Sequence, residues 1–157
     1  MKITAFLVLL PTILAIAACD SVTPNQGFVG TPPLKIGGAW TYKLDVIDES
    51  GLATCQNHDG TLNINPTGAG DTFTGNVRGV FSCMYGGEST GDFAIAAVTS
   101  GELTGESVRF IAYGCVHLGA LSGSPPDHAS GRVVNCSLGP APDYPTRPFG
   151  GTWEASR

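Results

Sequence analysis

From about residue 37 onward, apolar and polar residues alternate with a period of two. In "AWTYKLDV" (39–46), Trp40, Tyr42, Leu44 and Val46 share one side, and Thr41, Lys43 and Asp45 share the other. That is the alternation of a strand with one dry and one wet face. "TLNINP" repeats it with Leu62 and Ile64. "TFTGNVRGVFSC" puts Phe73, Val77, Phe81 and Cys83 on one face, with Gly75 and Gly79 between them. "DFAIAAV" offers Phe93, Ile95 and Ala97 as its apolar set. "SVRFIAY" sets Val108 and Phe110 against Arg109 and Ile111. "GRVVNC" and "FGGTWEA" add two more strands, and "CVHLGAL" (115–121) reads as a strand or a short helix.

Seven or eight short strands joined by glycine turns predict an all-β domain over residues 37–157. An antiparallel up-and-down barrel fits best, with a β-sandwich as the alternative. Opposed residues in a hairpin share a face, so Leu62 pairs with Val77 and Ile64 with Gly75. "GGAW" (37–40) and "GGTW" (150–153) bracket the domain. A closed barrel brings such first and last strands together, with Trp40 and Trp153 on neighbouring strands and both buried. Gly75, Gly79, Ala97 and Ala112 fall on apolar-facing positions and leave room inside. A cup lined by Trp40, Tyr42, Phe73, Phe81, Phe110 and Trp153 then suits a small apolar or aromatic ligand. The alternative is a filled barrel that meets a protein partner on its outside.

The cysteines add cross-links. Cys55, Cys83, Cys115 and Cys136 lie within the domain, and an even number in an exported chain suggests two disulfides. The midpoint of Cys55 and Cys83 falls in the turn-rich "TGAGD" (67–71), and that of Cys115 and Cys136 in "SPPD" (124–127). These turns favour Cys55–Cys83 and Cys115–Cys136, each across its own hairpin. The first pair is one residue out of step with the Leu62–Val77 register, so a bulge is expected in "QNHDG" (56–60).

The N-terminus follows a different pattern. Met1-Lys2 and an apolar run from Ile3 to about Ile16 have the layout of a secretory signal, too short for a comfortable membrane span. The run ends in "IAAC" (16–19), which resembles the lipobox of bacterial lipoproteins. That resemblance implies removal of residues 1–18 as a signal peptide and lipidation of Cys19. Residues 19–36, with three prolines, become a lipidated tether to the membrane. The implied place is the bacterial cell envelope, facing the extracytoplasmic side, in the periplasm or at the cell surface. Asp20 after the cysteine resembles the inner-membrane retention signal of enteric bacteria.

Losing residues 1–18 removes one of the eight basic residues and none of the thirteen acidic ones, which lowers the formal charge from −5 to −6. An acidic chain with scattered Arg and Lys argues against nucleic acid as a partner. The remaining partners are the membrane, through Cys19, and a small apolar ligand or an envelope protein.

A second resemblance lies in the domain. Gly38 and Trp40 in the opening strand, Phe73-Thr74-Gly75, and the closing Gly151 and Trp153 are similar to the avidin and lipocalin group of eight-stranded barrels. Small glycine-rich bacterial lipoproteins look similar too. Biotin-binding barrels set several tryptophans around the ligand and this chain has two, so the resemblance implies architecture alone.

Catalysis, metals and cofactors find little support. His58-Asp59 and Asp127-His128 sit in turn-rich segments, where Asp is favoured for backbone reasons alone. Cys-x-x-Cys is absent, which speaks against zinc. Asp48-Glu49 beside Ser50-Gly51 reads as a solvated turn, and "PAPDYPTRP" (140–148) as a loop before the last strand.

Overall fold

The computed structural model describes residues 36–67, 71–138 and 147–157. All the described elements are strands: β1 (Gly38–Asp48), β2 (Ala53–Thr67), β3 (Thr72–Tyr85), β4 (Glu88–Thr104), β5 (Ser107–Ala112), β6 (Cys115–Gly123), β7 (Pro126–Leu138) and β8 (Arg147–Ser156). They pair antiparallel in chain order, and β8 pairs with β1 to close an eight-stranded barrel. Residues 115–121 are strand, within β6. Cys19, the tether and most of "PAPDYPTRP" lie outside the described residues.

The hairpin of β2 and β3 has the register that shared faces require. Leu62 opposes Val77 and Ile64 opposes Gly75, while Cys55 opposes Cys83. The register shifts between Gln56 and Thr61, inside "QNHDG". Disulfides join Cys55 to Cys83 and Cys115 to Cys136.

Trp40 and Trp153 stand on the paired strands β1 and β8 and are both buried. Trp40 closes the Gly38 end of the barrel. Its Nε1 donates to the Ile36 carbonyl at 2.8 Å. The Arg157 guanidinium carbon lies 4.3 Å from its ring centroid, a cation–π contact. Arg157 also donates to the Gly37 carbonyl.

Two expectations are corrected. Phe93, Ile95 and Ala97 point outward on β4, with Phe93 59% and Ile95 68% exposed. Val77 and Gly79 face inward on β3 and oppose Ala96 and Ala94, so the small alanines must face inward and the large residues outward. Asp48 is buried rather than solvated. Its carboxylate accepts from the backbone N–H groups of Leu52 and Ala53 at 2.9 and 3.1 Å and from the Ser50 hydroxyl at 2.6 Å. A carboxylate that organises a turn in this way is drawn into it.

Candidate functional site

The interior has two parts. Toward the Gly38 end it is packed with rings. Tyr42, Phe73, Phe110, Trp40 and Trp153 are each only 1–3% exposed, and His117 is fully buried. Phe110 stacks on His117 with centroids 4.3 Å apart and meets Trp153 edge-on at 5.2 Å. Phe73 reaches Phe110 from β3 at 6.1 Å, and Tyr42 reaches His117 from β1 at 6.0 Å. Aromatic pairs of this kind add about 1 kcal/mol each beyond burial. Glycines accommodate the rings: a Cβ on Gly119 would lie 2.7 Å from the Trp153 ring. The inward glycines therefore do not translate into empty volume here.

The polar members of this layer are satisfied. Nε2 of His117 is 2.6 Å from the Tyr42 hydroxyl, and Nδ1 is 3.2 Å from the Cys115 carbonyl. The neutral ring with Nδ1–H donating and Nε2 accepting satisfies both. Burial pushes His117 down to about 4 despite the carbonyl contact, and holds the Tyr42 hydroxyl well above its ordinary range.

Toward the opposite end, marked by the Gly86-Gly87 turn between β3 and β4, Val46, Ala53, Cys55, Ala112, Cys115 and Cys136 are buried, and a patch of four residues is only partly so. Phe81, Cys83, Tyr85 and Tyr113 pack against the buried core there. The Phe81 and Tyr113 rings lie 5.1 Å apart. Of the six aromatic residues expected around a cup, Phe81 alone belongs to this region; the other five form the packed layer beneath it.

Two further residues lie beside this patch. Tyr113 and Gly114 form the tight turn between β5 and β6, with Ala112 opposing Cys115 and φ values of 53° and 67°. A left-handed pair is what a two-residue hairpin turn requires, and Asn or Gly normally fills its first position. A tyrosine there costs about 1–2 kcal/mol of backbone strain. Its hydroxyl reaches the Ala94 carbonyl at 3.5 Å. Half-burial raises the Tyr113 hydroxyl above its ordinary value, opposed by the nearby Asn57 amide. Asn57 on β2 is 1% exposed, yet neither atom of its amide meets hydrogen-bonding geometry with any partner. The sequence held a signal for both: an amide on the inward parity of Cys55, and an aromatic residue in a Tyr-Gly turn.

No protein family, curated protein or solved structure matches the chain.

The His–Asp neighbours fall elsewhere. His58 Nε2 is 2.8 Å from Asp45 Oδ1 on the outer wall, both half-exposed. Beside them Lys43 bridges Glu154 at 2.8 Å. Among the described residues, no three His, Cys, Asp or Glu side chains gather as a metal site needs.

Proposed function

We propose that this protein is a non-catalytic lipoprotein of the bacterial cell envelope, held on the extracytoplasmic side through lipid on Cys19, whose barrel receives a small apolar or aromatic ligand. The observation that carries this reading is the partly buried aromatic pair of Phe81 and Tyr113, set against an otherwise buried core. The rings of Tyr42, Phe73, Phe110 and Trp153 make a solid floor, and Phe81 and Tyr113 pack partly buried above it. Apolar walls over a closed floor are how small-molecule sites are usually built. The test is calorimetric titration of the full-length protein in lipid nanodiscs with quinoline, using empty nanodiscs as the blank. Binding that Phe81→Ala weakens about tenfold supports the reading; heats equal to the blank remove it.

A second reading is an interaction lipoprotein, and one observation favours it. Val80 opposes Phe93 on the outer face of the long β3–β4 hairpin, and Ile95, opposite Arg78, lies two pairs further along. The three are 51%, 59% and 68% exposed. Exposed apolar residues gathered on one face mark contact surfaces. Cross-linking in intact envelopes tests it: a cross-linked partner that Phe93→Ser/Ile95→Ser abolishes favours this reading.

A further inference from the structure

We propose that Asn57 reads a neutral amide-type edge, so that the ligand is a planar heterocycle carrying a hydrogen-bond donor and acceptor side by side, as a lactam does. This rests on the reading of the Gly86 end as a ligand site.

The argument begins with what the amide lacks. Among the described residues the buried polar or charged side chains are Asp48, Asn57 and His117. Asp48 is taken up by its own turn, and His117 by Tyr42 and the Cys115 carbonyl. Neither the oxygen nor the nitrogen of Asn57 meets hydrogen-bonding geometry with a partner, although the neighbouring Tyr113 hydroxyl feels the amide as a hydrogen-bond donor. Buried polar groups are nearly always hydrogen-bonded, and an orphan one calls for an explanation. A leucine of similar size would fill the same space without desolvating an amide.

The backbone is also shaped around this amide. A Cβ on Gly79 would lie 2.9 Å from the Asn57 oxygen and 3.0 Å from its nitrogen, and a Cβ on Gly60 2.9 Å from the oxygen. Two glycines from β2 and β3 thus make room for one polar group. The group lies next to the Tyr113 hydroxyl, and the Tyr113 ring packs on Phe81. A flat molecule against Phe81 therefore has its edge at Asn57 once the Tyr113 side chain swings aside. Tyr113 is suited to that movement: it is half-buried, sits on a two-residue turn, and is held to Ala94 by a long hydrogen bond of 3.5 Å.

The chemistry of the edge follows from the side chain. An asparagine presents an accepting oxygen beside a donating nitrogen, and its complement is a donor beside an acceptor. A charged ligand would find no opposite charge at this amide, which selects a neutral one.

The test compares 2-quinolinone, which carries the lactam edge, with quinoline, which has the same two rings without it. Both are titrated into the full-length protein in nanodiscs, wild type and Asn57→Leu. The expected result is that 2-quinolinone binds the wild type at least tenfold more tightly, as two net hydrogen bonds give. In Asn57→Leu the two affinities become equal, quinoline binding changes little, and the unfolding temperature does not fall. Equal affinities for the wild type, with quinoline still bound, overturn this inference and leave the ligand site standing. If neither compound binds, the site itself falls, and the inference with it. Should Asn57→Leu fail to fold, the wild-type comparison decides alone.

Discussion

Tyr42 on β1 and His117 on β6 stand three strands apart around the barrel, yet hydroxyl and imidazole meet at 2.6 Å. That contact spans the interior, and it places the barrel's one fully buried histidine among aromatic rings. It also makes the fold sensitive to acid.

The ordinary value for His117 is 6.5 and burial lowers it to about 4. Between these values the unfolded chain takes up a proton that the folded chain refuses. The stabilisation from keeping the ring neutral is therefore full above pH 6.5, and it is lost as pH falls toward 4, by about 3 kcal/mol in all. Urea unfolding at pH 7.5, 5.5 and 4.5 should show this decline, and His117→Gln should flatten it. An equal decline in the variant would assign the effect to carboxylates instead.

Gly119 lies under Trp153. Gly119→Ala would press a methyl against the Ser130 carbonyl oxygen and set it 2.7 Å from the ring, whereas at Gly150 the nearest atom to such a methyl is the Val133 carbonyl oxygen at 3.6 Å. Gly119→Ala should cost about 1–3 kcal/mol by overpacking, and Gly150→Ala much less. Tryptophan-fluorescence unfolding midpoints compare them directly.

The Cys55–Cys83 bond closes a loop with a sequence separation of 28. Replacing both cysteines by alanine should lower stability by about 3 kcal/mol, in line with the chain-entropy model. Peptide mapping without reductant should recover this pair and Cys115–Cys136, and no cross-pair between them.

Phe93 and Ile95 project from the wall rather than into the core. Phe93→Ser/Ile95→Ser should leave the thermal midpoint within a few degrees of wild type, since exposed substitutions cost about 0.5 kcal/mol or less. A drop comparable to that of a core truncation would mean that these side chains are covered in the intact protein.

Cleavage before Cys19 and acylation of its thiol predict a definite intact mass for protein extracted from membranes: residues 19–157 plus two or three acyl chains. A mass corresponding to an unmodified Cys19 would rule out the lipid anchor.

Much of the barrel was legible in the chain itself. Alternation named the strands, and turn chemistry placed the hairpins. Shared faces set Leu62 opposite Val77 and located the bulge at 56–60. The matching "GGAW" and "GGTW" segments foresaw the closure of β1 on β8. These features are local, or need only one neighbouring strand, and so the sequence carries them.

What the sequence left open was decided by groups far apart along it. Alternation says that Phe93 and Ala94 face opposite ways, but not which one faces in; β3 settles that through Val77 and Gly79. Likewise, an inward glycine reads equally as empty space or as room for a ring. Gly119 became the second because Trp153, 34 positions away, lies over it. Asn57 shows the same limit. Its inward parity follows from Cys55, but its lack of a partner depends on which side chains the closed barrel brings to it from other strands. The alternation of a strand is fixed by its own backbone, while filling and polar satisfaction depend on every strand around the ring, so only the tertiary structure decides them.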